Sequence, residues 1–203
     1  EGLLAAIAAA AEDMGLDKSE LLARADLLIH GTTISTNAVL TANTAKTAFL
    51  TTRGHPDILV FREGGRMGIS TFDYSVPYPE PYVPRALSFE VPERIGADGE
   101  VVEALDEDAV IEIIGRLADK GVEAIGVCLL WSIVNPTHEQ RVGALFDEHL
   151  PGVPYSLSHV VNPSLREYRR ASAACIDASL KPLMSQYLGS LAGRLKDDGF
   201  AGR

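Results

Sequence analysis

The chain has 203 residues, of which 46% are hydrophobic and 23% charged, and its formal net charge is -10. That is enough apolar material for one large domain or two small ones, while the acidic surface repels phosphate backbones and anionic headgroups, so nucleic acid is excluded as an expected partner. No apolar run reaches the roughly 18 to 20 residues that cross a bilayer, the longest being Val122 to Trp131 with Glu123 near its start, so no membrane association is expected.

The N-terminus, Glu1 to Glu12, is acidic and Ala-rich and carries neither the basic flank nor the cleavage signature of a secretory peptide, which makes a soluble, cytoplasmic protein the expectation. It starts inside a helical pattern without Met or a cap, so upstream sequence is expected. Leu3, Leu4, Ile7 and Ala11 recur at helical spacing, and Gly15 supplies a stop. Asp17 with Glu20 forms a capping-box pattern before Leu21, Leu22 and Ala25. Asp26 to His30 reads as a buried strand, Gly31-Thr32-Thr33 as a turn, and Ser35 to Leu40 as a helix. Lys46 to Thr52 is the next strand, broken by Arg53-Gly54-His55-Pro56.

From Arg62 to Pro84 the pattern dissolves, and Pro77, Pro79, Pro81 and Pro84 exclude a regular helix. The aromatics Phe72, Tyr74, Tyr78 and Tyr82 predict a loop or lid, 62-84, that packs on something. Leu87 to Ile95 reads as an edge strand, returning through the turn Ala97-Asp98-Gly99-Glu100 to Val101-Val102. A helix from Asp106 to Lys120 carries Val110, Ile113, Ile114 and Leu117 as one stripe, with Asp106 as cap, Leu105 as staple and Gly121 as stop. The apolar run Val122 to Leu130 predicts a central parallel strand. Asn135-Pro136 opens a helix that buries Val142, Leu145 and Phe146, Val153 to Ser158 is a strand, and Asn162-Pro163 opens a long helix that Pro182 should kink. Alternating strands and helices predict an α/β fold, with a mixed or mostly parallel sheet and flanking helices.

His30-Gly31-Thr32-Thr33-Ile34-Ser35-Thr36-Asn37 follows a predicted strand and opens a helix, the position where α/β folds bind ligands. The same residues could simply cap and turn the chain. Arg62-Glu63-Gly64-Gly65-Arg66 puts two guanidinium groups beside two glycines, suited to carboxylate or phosphate, but it lacks the Gly-Lys-Ser/Thr of a P-loop. In Arg166-Glu167-Tyr168-Arg169-Arg170, Glu167 and Arg170 are spaced to pair on a solvated helix face. His138 and Glu139 lack zinc-protease spacing and read as surface or interface residues. Cys128 and Cys175 read as buried thiols without metal-ligand spacing, so no metal site is expected.

The runs DLLIHGTTISTNAVL, KTAFLTTRGHPDILVFREGGR, YPEPYVPRALSFEVPERIGADGEVVEALDEDAV, VEAIGVCLLWSIVNPTHEQR and VPYSLSHVVNPSLREYRRAS, in this order, closely resemble the N-terminal region of the hydantoinase A, 5-oxoprolinase and acetone carboxylase family. The resemblance covers nearly all of residues 1-203. It implies a partial actin-like ATPase (ribonuclease H-like) architecture in a subunit of the N-methylhydantoinase A type. The activity it implies is ATP-dependent opening of a cyclic amide, such as a hydantoin or 5-oxoproline, by phosphorylation of its carbonyl. Two alternatives are a subunit of an ATP-dependent ketone carboxylase and a non-catalytic module that docks a partner subunit.

ATP with Mg2+ is the implied cofactor, a cyclic amide or ketone the substrate, and a hydantoinase B-type subunit the partner in a hetero-oligomer. Carried over residue by residue, His30, Gly31, Thr32, Thr33 and Asn37 match the family's HGTT-x-x-x-N stretch. Arg62 and Arg66 match the loop that follows, and Glu167, Tyr168 and Arg169 match its RE-Y-R segment. These are the candidate substrate- or nucleotide-binding residues. The family's Asp-x-Gly-Gly-Thr strand-turn does not occur in this sequence, and neither does its second phosphate loop. The chain is therefore expected to be part of a longer subunit and inactive alone.

Overall fold

The computed structural model describes residues 2-63, 68-70, 73, 75-77 and 79-202. Its contacts form two compact units, one comprising Glu1–Asn37 and Leu183–Arg203 and the other Ala38–Pro182. Among the described residues no helix is long and apolar enough to cross a membrane.

The larger unit is built on a four-stranded sheet in the order β2-β1-β5-β6, formed by β1 (Thr47–Thr52), β2 (Ser88–Val91), β5 (Ala124–Cys128) and β6 (Tyr155–Leu157). Every pairing is parallel. All six residues of β1 and all five of β5 are buried, as expected of central strands covered on both faces. One face is covered by α5 (Glu107–Asp119) and α6 (Thr137–His149), whose Val110, Ile114, Leu117, Val142 and Phe146 pack on Leu50, Ile125 and Val127. On α5, Asp106 accepts a hydrogen bond from Ala109 N at 3.0 Å, and Gly121 beyond the helix has φ 60°.

The other face holds Phe49, Cys128, Ala171 and Cys175, with Leu59 of α4 (Ile58–Phe61) and Val83. Ala171, Ala174, Cys175, Ala178 and Ser179 are small buried residues of α8 (Glu167–Asp197), which let this helix lie close to the strands. At Gly126 the approach is closest, because an added Cβ would stand 2.9 Å from Cys175 Cα. At the described end of the Pro-rich loop Val83 is buried and the Tyr82 hydroxyl lies 2.7 Å from Ser179 Oγ. Phe72, Tyr74 and Tyr78 lie outside the described residues.

In the smaller unit, α1 (Gly2–Asp13) ends in a turn where Gly15, φ 70°, donates to Glu12 O at 3.0 Å and Leu16 N donates to Ala11 O at 2.9 Å. Asp17 caps α2 (Lys18–Arg24) by accepting from Glu20 N at 2.8 Å, while the Glu20 carboxylate pairs with Arg24 instead of closing a capping box. Ile7, Leu22 and Leu195 form the core of this unit. The helix α3 (Ile34–Leu40) opens here, near its predicted start.

Five expectations are corrected. Residues 26-30 form no strand: Leu27 and Ile29 are 62% and 85% exposed, and only Leu28 packs on the small core. An apolar run becomes a strand only where a neighbour completes its backbone ladder, and no described strand pairs with this one. The predicted strand Leu87 to Ile95 is divided at Pro92-Glu93 into β2, an edge of the main sheet, and β3 (Arg94–Ile95), which pairs antiparallel with β4 (Val101–Glu103). The long helix begins at Glu167 and not at Asn162-Pro163, since Arg166 has φ 75°, and Ser158–Val161 forms a separate short helix, α7.

His138 and Glu139 are not surface residues; both are buried. The first turn of α6 faces the carboxyl edge of the sheet, where donors are available to a carboxylate. The Glu167–Arg170 surface pair does not form either, because Arg170 is 1% exposed and donates to Leu129 O at 2.8 Å. Arg170 belongs to the small-residue face of α8 that rests on the strands, whereas Arg169, one position earlier and so about 100° away around the helix, turns outward.

Candidate active site

Parallel strands present their carboxyl ends to loops, and ligands of α/β folds sit there. In the larger unit, the chain leaves β1 through Gly54, φ 88°, and enters α4. It then reaches Arg62 and Glu63, which face the first turn of α8. Between them is a cavity of about 480 Å³ lined by His55, Asp57, Arg62, Glu63, Arg166, Glu167 and Tyr168 among others. The sequence expectations for Arg62, Glu167 and Tyr168 thus converge on one place. Arg169 reaches it indirectly, through Glu63. Arg66 lies outside the described residues.

The polar geometry of this cavity is specific. Arg169 Nε and an amino nitrogen donate to the two oxygens of Glu63 at 2.8 and 3.0 Å, which raises the guanidinium above its ordinary value, and Arg166 approaches Glu63 at 3.8 Å. Arg62 donates to Glu80 O at 3.3 Å. Asp57 is neutralised by Arg85 Nε at 2.7 Å, and Gly54 N donates to a Glu90 oxygen at 2.6 Å. Tyr168 packs against Phe49 and Cys128, which seats the first turn of α8 on the sheet. Arg62 and Arg166 have φ of 56° and 75°, a region that costs a non-glycine residue energy and recurs at ligand clamps.

Beneath the carboxyl edge runs a buried polar network that pattern reading missed. Glu139 is fully buried and accepts from Leu129 N at 2.9 Å, Ser158 Oγ at 2.7 Å and His159 N at 3.0 Å, with His159 Nδ1 as a fourth contact. Glu93 is bound by Thr52 Oγ1 and lies 2.8 Å from His138 Nδ1, and Thr52 Oγ1 also accepts from Leu130 N at 2.9 Å. The two carboxylates bind together the ends of β1, β5 and β6. A charged pair adjoining Pro136 gave no periodic signal of burial. Cys128 is no nucleophile: burial pushes its thiol up to about 11, with the nearby Arg170 charge opposing, and burial also raises Cys175 well above its ordinary value.

The other candidates lie in the smaller unit. His30 Nε2 is 2.5 Å from the Tyr187 hydroxyl, and both line a cavity of about 520 Å³ with Leu3 and Arg194. Thr32 Oγ1 accepts from Ile34 N at 3.3 Å, and Thr33 O accepts from Asn37 N at 2.9 Å. Asn37 Nδ2 lies 3.5 Å from Thr33 Oγ1. Gly31 has no heavy atom within 4 Å of where a Cβ would stand, so its smallness is not demanded by packing here. Glu63, Arg166, His55 and Asp57 were not singled out as binding residues from the sequence. Glu63 and Arg166 stand within the quoted Arg-Glu-Gly-Gly-Arg and Arg-Glu-Tyr-Arg runs, where only a three-dimensional pairing distinguishes them from loop charges.

Guanidinium groups around a cavity fit an oxyanion. Among the described residues no group of three or more His, Cys, Asp or Glu side chains is placed to hold a metal ion.

Residues 1–150 match the family model described as the hydantoinase/oxoprolinase N-terminal region. The caprolactamase subunit alpha of Pseudomonas jessenii is 35% identical over 182 residues, covering 90% of this chain and 26% of the relative. The acetophenone carboxylase gamma subunit of Aromatoleum aromaticum is 35% identical over 212 residues, covering 99% and 29%. The crystal structure of the ATP-dependent caprolactamase from Pseudomonas jessenii superposes with a TM-score of 0.86 at 34% identity, covering 96% of this chain and 28% of that one. The chain therefore spans between a quarter and a third of the length of these relatives.

Proposed function

Because this chain belongs to the hydantoinase/oxoprolinase family, we propose that it forms part of an ATP-dependent hydrolase that opens a cyclic amide through phosphorylation of its carbonyl. The observation that carries this is the 35% identity, across 90% of the chain, to a caprolactamase subunit. An amide carbonyl is a poor electrophile and its nitrogen a poor leaving group. Phosphorylating the oxygen divides one steep barrier into two lower ones, and the protein then has mainly to position the reactants and neutralise charge.

The residues of this chain suit that second task. Arg62 and Arg166 offer guanidinium groups to an anionic part of the reactants, and Tyr168 supplies an apolar wall. Glu167 lies at the same cavity and, through the seating of Tyr168, is held at a fixed height on the sheet. His30, Thr32, Thr33 and Asn37 are the proposed contacts of the smaller unit. ATP with Mg2+ is the proposed cofactor, in a complex that includes a hydantoinase B-type subunit.

The identity to a carboxylase subunit over 99% of the chain supports a second reading, the carboxylation of a ketone. One experiment separates them. The full-length subunit, purified with its partner, is given ATP and either cyclic amides or a ketone with bicarbonate, and ADP or phosphate release is followed with the organic product. Ring opening coupled to ATP supports the amidase, carboxylation supports the second reading, and ATP turnover with neither substrate class overturns both.

A further inference from the structure

The cavity beside α8 brings guanidinium groups together with carboxylates in a protein of net charge -10. Arg62, Arg166 and Arg169 stand against Glu63 and Glu167, while Asp57 is neutralised by Arg85. The two parallel contacts of Arg169 with Glu63, at 2.8 and 3.0 Å, have the fork-to-fork form by which arginine recognises a carboxylate or phosphoryl group. Arg166, 3.8 Å from the same carboxylate, adds a second positive group on that side.

We propose that the Glu63 carboxylate is a resident stand-in for a ligand oxyanion: a carboxylate or phosphoryl group entering the cavity takes over the Arg169 fork and the Arg166 approach, and Glu63 is displaced. The proposal rests on the assignment of this cavity as a ligand site and adds which groups bind and what they must exchange. The exchange is easy on physical grounds. The side chains of Arg166 and Arg169 are 70% and 61% exposed and that of Glu63 26%, and ion pairs this open to water are weak and readily replaced. A ligand anion keeps the charge balance that Glu63 supplies, so no uncompensated guanidinium is left in either state. Glu63 also adjoins Arg62, so its displacement opens the cavity at the wall that Arg62 forms.

Calorimetric titration of the 203-residue chain with succinate, and separately with inorganic phosphate, tests the exchange in a low-salt buffer free of both anions. Glu63→Gln removes the competitor and should tighten binding by ~threefold or more, and Glu63→Asp, which keeps the charge with a shorter reach, should fall between it and the wild type. Arg169→Gln should weaken binding by ~tenfold or more, also when combined with Glu63→Gln. Tightening with succinate alone identifies a carboxylate, with phosphate alone a phosphoryl group, and with both a general oxyanion site; each supports the exchange. Unchanged or weaker affinity in Glu63→Gln, indifference to Arg169→Gln, or no binding to any variant overturns it. The titration needs neither ATP nor turnover, so an absence of amidase activity in the full-length enzyme would leave its outcome standing, and the converse.

Discussion

Replacing Glu139 by Gln alters almost no volume and is expected to destabilise the larger unit severely. The carboxylate receives donors on both oxygens: Leu129 N and Ser158 Oγ on one, His159 N and His159 Nδ1 on the other. The serine hydroxyl can rotate and the imidazole can change tautomer, but the two backbone N–H groups are fixed, one to each oxygen. Whichever way an amide is flipped, its NH2 group must face a backbone N–H with no acceptor between them. A buried donor left without a partner costs about 1 to 3 kcal/mol, and the lost charge on the remaining bonds adds to it, giving about 2 to 4 kcal/mol in all.

Trp131, the only tryptophan, lies in the same unit just beyond β5 and reports its unfolding by fluorescence. With a urea dependence of about 2 kcal/mol per molar, the midpoint should fall by about 1 to 2 M. Glu112→Gln, on the exposed side of α5, is the matched control and should shift by less than about 0.3 M. A Glu139→Gln protein within about 0.5 kcal/mol of wild type would refute the description of Glu139 as an acceptor of four donors.

Three further outcomes are expected. Asp106→Ala removes the 3.0 Å cap of α5 and should lower stability by about 1 kcal/mol in the same urea assay, and an unchanged midpoint would show that the cap is idle. The Cys128 thiol is raised from 9.0 to about 11 in the folded protein, so between these values the folded state keeps a proton that the unfolded state has lost. Stability from this group is full below pH 9 and falls by on the order of 2 to 3 kcal/mol as pH rises through 11. Urea midpoints of wild type and Cys128→Ala that fall in parallel over this range would contradict it. Finally, Thr32→Ala with Thr33→Ala should barely move Tm in the full-length subunit, since the capping contact is a long 3.3 Å, but should lower kcat/KM by about tenfold or more; a large fall in Tm with intact turnover would leave capping as their role.

What was legible in the sequence follows the physics of each signal. The α5 stripe of Val110, Ile113, Ile114 and Leu117, bounded by Asp106 and Gly121, is a local pattern, and the fold reproduces it. The continuous apolar run of β5 announced a central parallel strand for the same reason, whereas β1 was legible only as a strand, without its place in the sheet. The run at residues 26-30 misled because a strand is a relation between segments and composition cannot supply its neighbour. His138, Glu139 and Arg170 were misjudged because a charge is buried only where distant donors or acceptors await it, and Leu129, Ser158 and His159 become neighbours of these side chains only on folding. Motif resemblance named Arg62, Glu167 and Tyr168 among its candidates, and the fold brings these three to one cavity across about a hundred positions of sequence, but it left out Glu63 and Arg166, whose part depends on distances only the fold sets.

The missing side chain at Gly126 reaches further than the sheet it belongs to. With Cys175 backbone standing where a Cβ would lie, the depth at which α8 rests on the strands is set by a residue with no atom in the cavity. The same helix carries Glu167, Tyr168 and Arg169 in its first turn. A single methyl group on the floor would therefore act as a shim, lifting these three together relative to α4 and widening the cavity without touching any group that lines it. A search for variants with altered ligand size should thus include Gly126 and Cys175 on the opposite side of the helix–sheet seam, and not only the arginines in view.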